Sequence, residues 1–340
     1  MVYRLTAFLI NRRFGDPGVY VAFQFENRAL MLDAGDVRSL SHAELRMVSD
    51  LFVSHAHMDH FADFDQLLRA QLDLDKELRV YGPAGIIEQV EHKLSAYSWN
   101  LDVPETAGFR LSVMEITAVS AARRTCFRFH DKFRRGDTEK LSLQGGRILE
   151  DHDVIVDCAL LDHKLPCLAF AIREQPSLHI VEDRLADLNL PVGRWLYRLK
   201  KALQQNLPPD TAIRIDGKYG TRALGELRHA VTTGSPGRKI CYVTDCQFNE
   251  SNAERIVELA RGADILFIEA KFAATDAEIA RSRYHLTTRQ AGELAARAGV
   301  RQVEPFHFSE RYAGMEKQML CEVETAFQRS RPGAGKNQKN

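Results

Sequence analysis

The sequence predicts an α/β protein built in layers, and three observations carry that reading. Short β-rich runs recur along the chain. Helical patterns lie between several of them. One apolar run, "LFVS" at Leu51, leads straight into a cluster of histidines and an aspartate. Strands interleaved with helices pack as sheets with helices laid against them. The 340 residues suffice for one large domain or two smaller ones, and 45% apolar residues suit a full core.

The elements follow in order. The start "MVYRLTAFLINRRFGD" has a short apolar run and no small-residue cleavage site, so it reads as a strand and not as a signal peptide. Further strands are expected at "VYVAFQFENRALMLD", "LFVSH", "LRVYGP", "RLSVMEITAV", "VIVDCALLD", "CLAFAI", "KICYVTD" and "DILFIEA", each rich in β-branched or aromatic residues. Helices are expected at "FADFDQLLRAQL", "PAGIIEQVEHKLSAY", "SNAERIVELARG" and "TTRQAGELAARAG". The last two end in glycine, an ordinary stop signal. Between Gln175 and Lys239 the pattern weakens, and prolines and glycines accumulate in "LPVGRW", "NLPPD" and "TTGSPGRK". An inserted arm over 176–239 is the expectation, within a single domain spanning 1–330. The end of the chain, 331–340, reads as a disordered tail. No apolar segment is long enough to span a bilayer, so no membrane partner is expected.

Composition narrows the function. Forty-six basic residues balance 46 acidic ones, so any nucleic-acid surface must be a local patch. None of the six cysteines forms C-x-x-C, and their spacing fits neither a disulfide framework nor a thiolate zinc site. A reducing cytoplasm suits them.

The chemistry concentrates after "LFVS". His55 and His57 alternate at a strand end and can point the same way, while Asp59 and His60 sit where the chain turns into a helix. A lone histidine is more often an ordinary surface or core residue. Four candidate ligands in H-x-H-x-D-H point instead to a metal site. Imidazole and carboxylate without thiolate suit zinc, with manganese or iron as alternatives.

This motif resembles the hallmark of the metallo-β-lactamase fold, and other segments follow in the right order. "LMLDAGD" resembles its strand ending in Asp-x-Gly, with Asp33 more a turn former or a support than a ligand. "LLDHKLPCLAFAI" places His163 where the third histidine belongs; His152 is the rival, but lies in the acidic turn "LEDHDV". "CYVTDCQ" puts Asp245 at the bridging position, and "EPFHFSERY" puts His307 at the last. Within the fold the likeness is to the ribonuclease Z family. "ADILFIEAKF" resembles its acidic "HEATF" strand, "SRYHLTTRQAGELA" its "YHST…QAA" segment and "FHFSERY" its "H-x-S-x-RY" segment. The chain departs in three places. The glycine-rich "LGTG" start is replaced by "FLINRRFGDPG", "GDTR" by "TDCQ", and the stretch from Arg123 to Asp157 is longer.

The resemblance implies a four-layer αββα sandwich with an inserted basic arm and two zinc ions per chain. His55, His57 and His163 would hold one ion and Asp59, His60 and His307 the other, with Asp245 bridging. Two metals about 3.5–4 Å apart can clamp a phosphodiester for in-line attack. Asp59, Glu269 and His285 form the expected catalytic set, Glu269 orienting His285 as general acid. The implied substrate is precursor tRNA, cut at its 3′ trailer, and the implied assembly is a homodimer. From Arg194 to Lys239 ten basic residues face three acids, and Arg194, Arg198, Lys200 and Lys201 are the candidate RNA contacts. A second basic run from Arg123 to Arg135, interleaved with Phe127, Phe129 and Phe133, is a further RNA candidate. Two rival readings stay open: a hydrolase of a small phosphodiester or lactone on the same fold, and a non-catalytic RNA-binding relative.

Overall fold

Alternation of buried side chains sorts the strands into two facing sheets. The computed structural model describes residues 4–24, 26–100, 108–205, 207–235 and 237–331, so residues 332–340 of the expected tail lie outside it. The first sheet holds eight strands paired in chain order: β1 (Leu5–Leu9), β2 (Val19–Phe23), β3 (Ala29–Leu32), β4 (Val48–Phe52), β5 (Glu77–Pro83), β6 (Arg110–Ala118), β7 (Ala121–Arg128) and β8 (Glu139–Ser142). The second begins with β9 (Arg147–Glu150), β10 (Val154–Asp162) and β11 (Pro166–Glu174). An excursion then carries β12 (Ser177–Ile180), β13 (Ala212–Arg214), β14 (Thr221–Ala223) and β15 (Thr232–Ser235). The chain returns as β16 (Lys239–Val243), β17 (Ile265–Glu269) and β18 (Gln302–Phe306), in sheet order β18-β17-β16-β11-β10-β9. β3 to β6 run parallel to one another, as do β16 to β18, and helices fill the crossovers.

Val19, Val21, Leu32 and Phe52 of the first sheet share one core with Phe170, Ile240, Tyr242 and Phe267 of the second. Intervening residues of the same strands point the other way. Met31, Leu51 and Val53 pack with Phe64, Leu67 and Val90 of the outer helices. Cys241, Val243 and Leu266 pack with Ile256, Leu294 and Val323. The order helix, sheet, sheet, helix is the expected αββα sandwich. No helix among the described residues is long and apolar enough to cross a membrane.

Some elements differ from the sequence reading. "VYVAFQFENRALMLD" is the antiparallel hairpin β2–β3. "FADFDQLLRAQL" divides between the helices Met58–Phe61 and Phe64–Arg69. The break comes at Asp63, whose amide donates to the carbonyls of Ala34 and Gly35 and whose Oδ2 accepts from the Val37 amide at 3.0 Å. A helix over Glu316–Arg329, not foreseen, packs on the helix Thr288–Ala298. Gly292 permits that contact: a Cβ there would meet the Val323 carbonyl oxygen at 2.4 Å. In the run from Arg123 to Arg135, Arg123 pairs with Glu115, Arg124 with Glu139 and Arg135 with Glu91. Phe127 and Phe133 are buried in the core.

The excursion forms a compact unit over 174–237. Its own core includes Leu185, Trp195, Leu199, Ile213, Leu224 and Leu227. The sequence reading found only weak periodicity there because the helices Glu182–Asp187, Trp195–Gln204 and Leu224–Val231 are short. In the second sheet Arg173 pairs across the ladder with Lys239, so the chain leaves and rejoins at facing residues.

Candidate metal centre

Every residue of the proposed ligand set stands at or just beyond the carboxyl end of a strand, where ligands gather in parallel α/β sheets. β4 ends at Phe52, and Ser54 and His55 continue past it. His57 then caps the helix Met58–Phe61, which carries Asp59 and His60. His163 follows β10, Asp245 follows β16 by two residues, Glu269 ends β17, and His307 follows β18. Asp33, Asp245 and His307 have left-handed φ of 57°, 30° and 60°. Such backbone costs energy and persists where surroundings enforce it. Gly35 is forced by a close approach: a Cβ there would lie 1.7 Å from the Asp59 carbonyl oxygen.

The ligand atoms fall into overlapping groups, the members of each within 4.8 Å of one another. One group is His55, His57, His163 and Asp245; a second is Asp59, His60 and His307; a third is Asp245, Glu269, His285 and His307. Asp245 Oδ2 lies 3.7 Å from His55 Nε2, 3.6 Å from His60 Nε2 and 3.4 Å from His163 Nε2. The other ring nitrogens are held by the protein. His60 Nδ1–H donates to Asp33 Oδ2 at 2.8 Å, and His163 Nδ1–H donates to the Tyr284 carbonyl at 2.7 Å. Both rings therefore turn Nε2 inward. Asp33 is fully buried and also accepts from the Ser54 amide (2.6 Å), the Ser54 hydroxyl (2.7 Å) and the Tyr242 hydroxyl (2.7 Å).

This donor set fits a divalent cation. His60 Nε2 and His307 Nδ1 are buried without a hydrogen-bond partner; His307 Nδ1 is 2.8 Å from Asp245 Oδ1 but out of line for a bond. Buried polar atoms left so are costly unless something else satisfies them. Burial, reinforced by His60, pushes His55 down to about 2, so its ring is neutral and keeps a lone pair. Burial would raise Asp245, but His307 and His60 outweigh it and hold the carboxyl well below its usual range. Burial likewise opposes Asp59, yet the bond to His307 and the charge of His60 hold it low. Cys167 Sγ comes within 3.7 Å of His55 Nδ1, but burial and then Asp245 push its thiol well up. It keeps its proton and is no thiolate ligand.

Beside this centre, His285 Nδ1 lies 2.9 Å from Glu269 Oε2. Glu269 Oε1 also accepts from the Cys246 and Leu286 amides, at 2.8 and 3.3 Å, which fixes the carboxylate. His152 stands elsewhere, grouped with Asp151 and Asp153. In the 174–237 unit, Arg194, Lys200 and Lys201 are exposed at the helix Trp195–Gln204, as is Tyr197. Arg198 is held by Asp216 at 2.5 Å and by the Arg214 carbonyl at 2.8 Å. Sequence reasoning missed Ser54, Tyr242, Tyr284 and Lys271, whose parts depend on contacts between distant segments. It also missed Asp16, whose carboxyl is raised by burial and then by Asp59.

Comparison with known proteins gives the family and the fold. A model of the Beta-lactamase superfamily domain matches residues 217–308. The "Ribonuclease Z" of Deinococcus radiodurans is 30% identical over 306 residues, 89% of each chain. The chain belongs to the ribonuclease Z family. The "Ribonuclease Z" of Anoxybacillus flavithermus is 32% identical over 306 residues, covering 87% of this chain and 82% of the relative. Among solved structures, the metallo-beta-lactamase fold protein YhfI of Bacillus subtilis matches with a TM-score of 0.54 at 15% identity, over 95% of this chain and 93% of that one. The short form of human tRNase Z matches with a TM-score of 0.52 at 16% identity, over 90% and 93%. As a ribonuclease Z family member the chain is a metal-dependent hydrolase of the ribonuclease class.

Proposed function

We propose that this chain is a dinuclear-metal phosphodiesterase that removes the 3′ trailer of precursor tRNA. It cuts 3′ to the discriminator nucleotide and leaves a 3′-hydroxyl. The observation that carries the reading is the convergence of imidazole and carboxylate around Asp245, with the Glu269–His285 pair at its edge.

His55, His57 and His163 would hold one ion and Asp59, His60 and His307 the other, with Asp245 shared. Zinc suits these ligands, and manganese or iron would also fit. Ions held there supply Lewis acidity at the scissile phosphate and a nucleophilic water at neutral pH. The chain's own side chains do the rest. Asp33 and the Tyr284 carbonyl hold His60 and His163 in the ligating tautomer. Glu269 Oε2 accepts the Nδ1 proton of His285, so the mobile proton sits on Nε2. That nitrogen gives its proton to the O3′ leaving the phosphorus, as general acid.

Substrate length asks for contacts beyond the centre. The exposed cations Arg194, Lys200 and Lys201 suit phosphates, and Tyr197, 71% exposed, suits base stacking. Arg198 joins them if it yields Asp216. A homodimer rests on the family resemblance alone. A cytoplasmic setting is supported by six free cysteines.

Incubating the purified protein with precursor tRNA and mapping the ends tests this. We expect one cut after the discriminator, abolished by chelation and restored by zinc. Intact precursor alongside rapid turnover of a small phosphodiester would overturn it.

A further inference from the structure

Lys271 stands two residues beyond Glu269, where the "HEATF" strand it resembles carries threonine. Its Nζ lies 2.6 Å from His307 Nε2. Among the described residues no carboxylate oxygen lies within 4.0 Å of that ammonium. A partly buried cation at the edge of the centre therefore has one polar side-chain partner, and that partner is a ring that the proposed function assigns to a metal.

The two roles conflict. An ammonium carries three donors and no acceptor, and a neutral imidazole carries one acceptor nitrogen and one N–H. The same His307 Nε2 lies 3.4 Å from Asp59 Oδ2, and Nδ1 faces Asp245 Oδ1 at 2.8 Å, so the ring stands between two carboxylates of the centre. A metal taken at Nε2 displaces the lysine directly. A metal taken at Nδ1 moves the ring proton to Nε2, and two donors then face each other. Either way metal loading breaks the Lys271–His307 contact, and the carboxylates beside that ring, Asp59 and Asp245, are themselves among the proposed ligands.

We infer that in the metal-loaded protein Lys271 Nζ contacts a non-bridging oxygen of the RNA phosphodiester at the cut. The inference rests on the ribonuclease reading for its substrate. Its chemistry requires only a phosphate-type anion bound at the centre, and Lys271 stands in contact with His307, a residue of that centre.

The test compares the zinc-loaded protein with Lys271→Met and Lys271→Arg. Zinc content and affinity are measured first, then the binding of inorganic phosphate by calorimetry, then KM and kcat on precursor tRNA. We expect unchanged zinc content, and tighter zinc binding in Lys271→Met because a competitor for His307 is gone. Phosphate affinity and kcat/KM should each fall about 10- to 100-fold in Lys271→Met, the range of a charged hydrogen bond, with substantial rescue in Lys271→Arg. Wild-type phosphate affinity and kcat/KM in Lys271→Met would overturn the inference, as would loss of zinc from that variant, which would make Lys271 part of the scaffold. If the wild type cuts no RNA while Lys271→Met still loses phosphate affinity, the ribonuclease reading falls and the phosphate contact stands.

Discussion

Replacing Asp33 with asparagine tests whether the centre is aimed from outside its ligands. The carboxylate accepts four hydrogen bonds: one at Oδ1, from the Ser54 amide, and three at Oδ2, from the Ser54 hydroxyl, the Tyr242 hydroxyl and His60. The best placement of an amide keeps its oxygen at the Oδ2 position and sets its NH2 against the Ser54 N–H. The Ser54 N–H then loses its acceptor and the buried NH2 finds none, a mismatch that costs at least about 1–3 kcal/mol. The three remaining bonds lose charge assistance, roughly half their strength, or about 1 kcal/mol each. A neutral amide is cheaper to bury than a carboxylate, which returns part of this. The net expectation is a loss of about 3 kcal/mol in folding stability, visible in urea unfolding of the chelated protein. His60 keeps an acceptor for Nδ1, so zinc still binds, but about 10- to 100-fold more weakly, as when a group supporting a ligand is altered. Tyr242→Phe, which removes one donor, should cost about 1–2 kcal/mol. A wild-type urea midpoint together with wild-type zinc affinity in Asp33→Asn would refute the reasoning.

Other expectations follow from the same geometry. His285→Ala should keep its metal and slow precursor cleavage by about 10²–10⁴-fold. The loss should shrink on a nitrophenyl phosphodiester, whose leaving group needs no proton; equal losses on both substrates would argue against a proton donor. Replacing 175–237 with a short glycine-containing turn should spare metal binding and small-diester hydrolysis, because Arg173 and Lys239 already face each other as in a hairpin. KM for precursor tRNA should rise, and Lys200→Ala with Lys201→Ala should lower the log–log salt slope of binding by about 1 per lost phosphate contact. Full efficiency after the deletion would remove the 174–237 unit from RNA binding. Gly35→Ala puts a methyl group 1.7 Å from the Asp59 carbonyl oxygen, so Asp59 must move. Zinc stoichiometry should fall, and a variant with full zinc content would contradict that placement.

What could be read from the sequence was whatever short range encodes. The strands announce themselves by alternation, and H-x-H-x-D-H packs its four side chains into six residues at a strand end. His163 was legible from the apolar strand it closes, whereas Asp245 and His307 were placed by resemblance to the order of the family's motifs. What escaped depends on long-range contact. The helix break at Asp63 comes from carbonyls of Ala34 and Gly35, some thirty positions upstream in the chain. The compactness of 174–237 lies in short helices that each bury only a few side chains. In the basic run at Arg123, the partners Glu115, Glu139 and Glu91 stand 8, 15 and 44 residues away, so the sequence could not show which of its charges are paired. Nothing local marks Lys271, because its meaning comes from His307, thirty-six residues away.

The holding of His60, His163 and His285 by protein groups has a consequence for life under metal scarcity. Each ring is oriented by a protein acceptor, namely Asp33, the Tyr284 carbonyl and Glu269, and none of these arises from metal. Small zinc domains fold only when their metal arrives, because it supplies the folding energy. Here the sandwich's own cores do that work, and each of these rings has a protein acceptor that does not depend on metal. A cell starved of the ion would therefore hold folded, inactive protein, not unfolded chain exposed to proteases. Chelated protein should therefore regain activity when zinc is added back, without a refolding step.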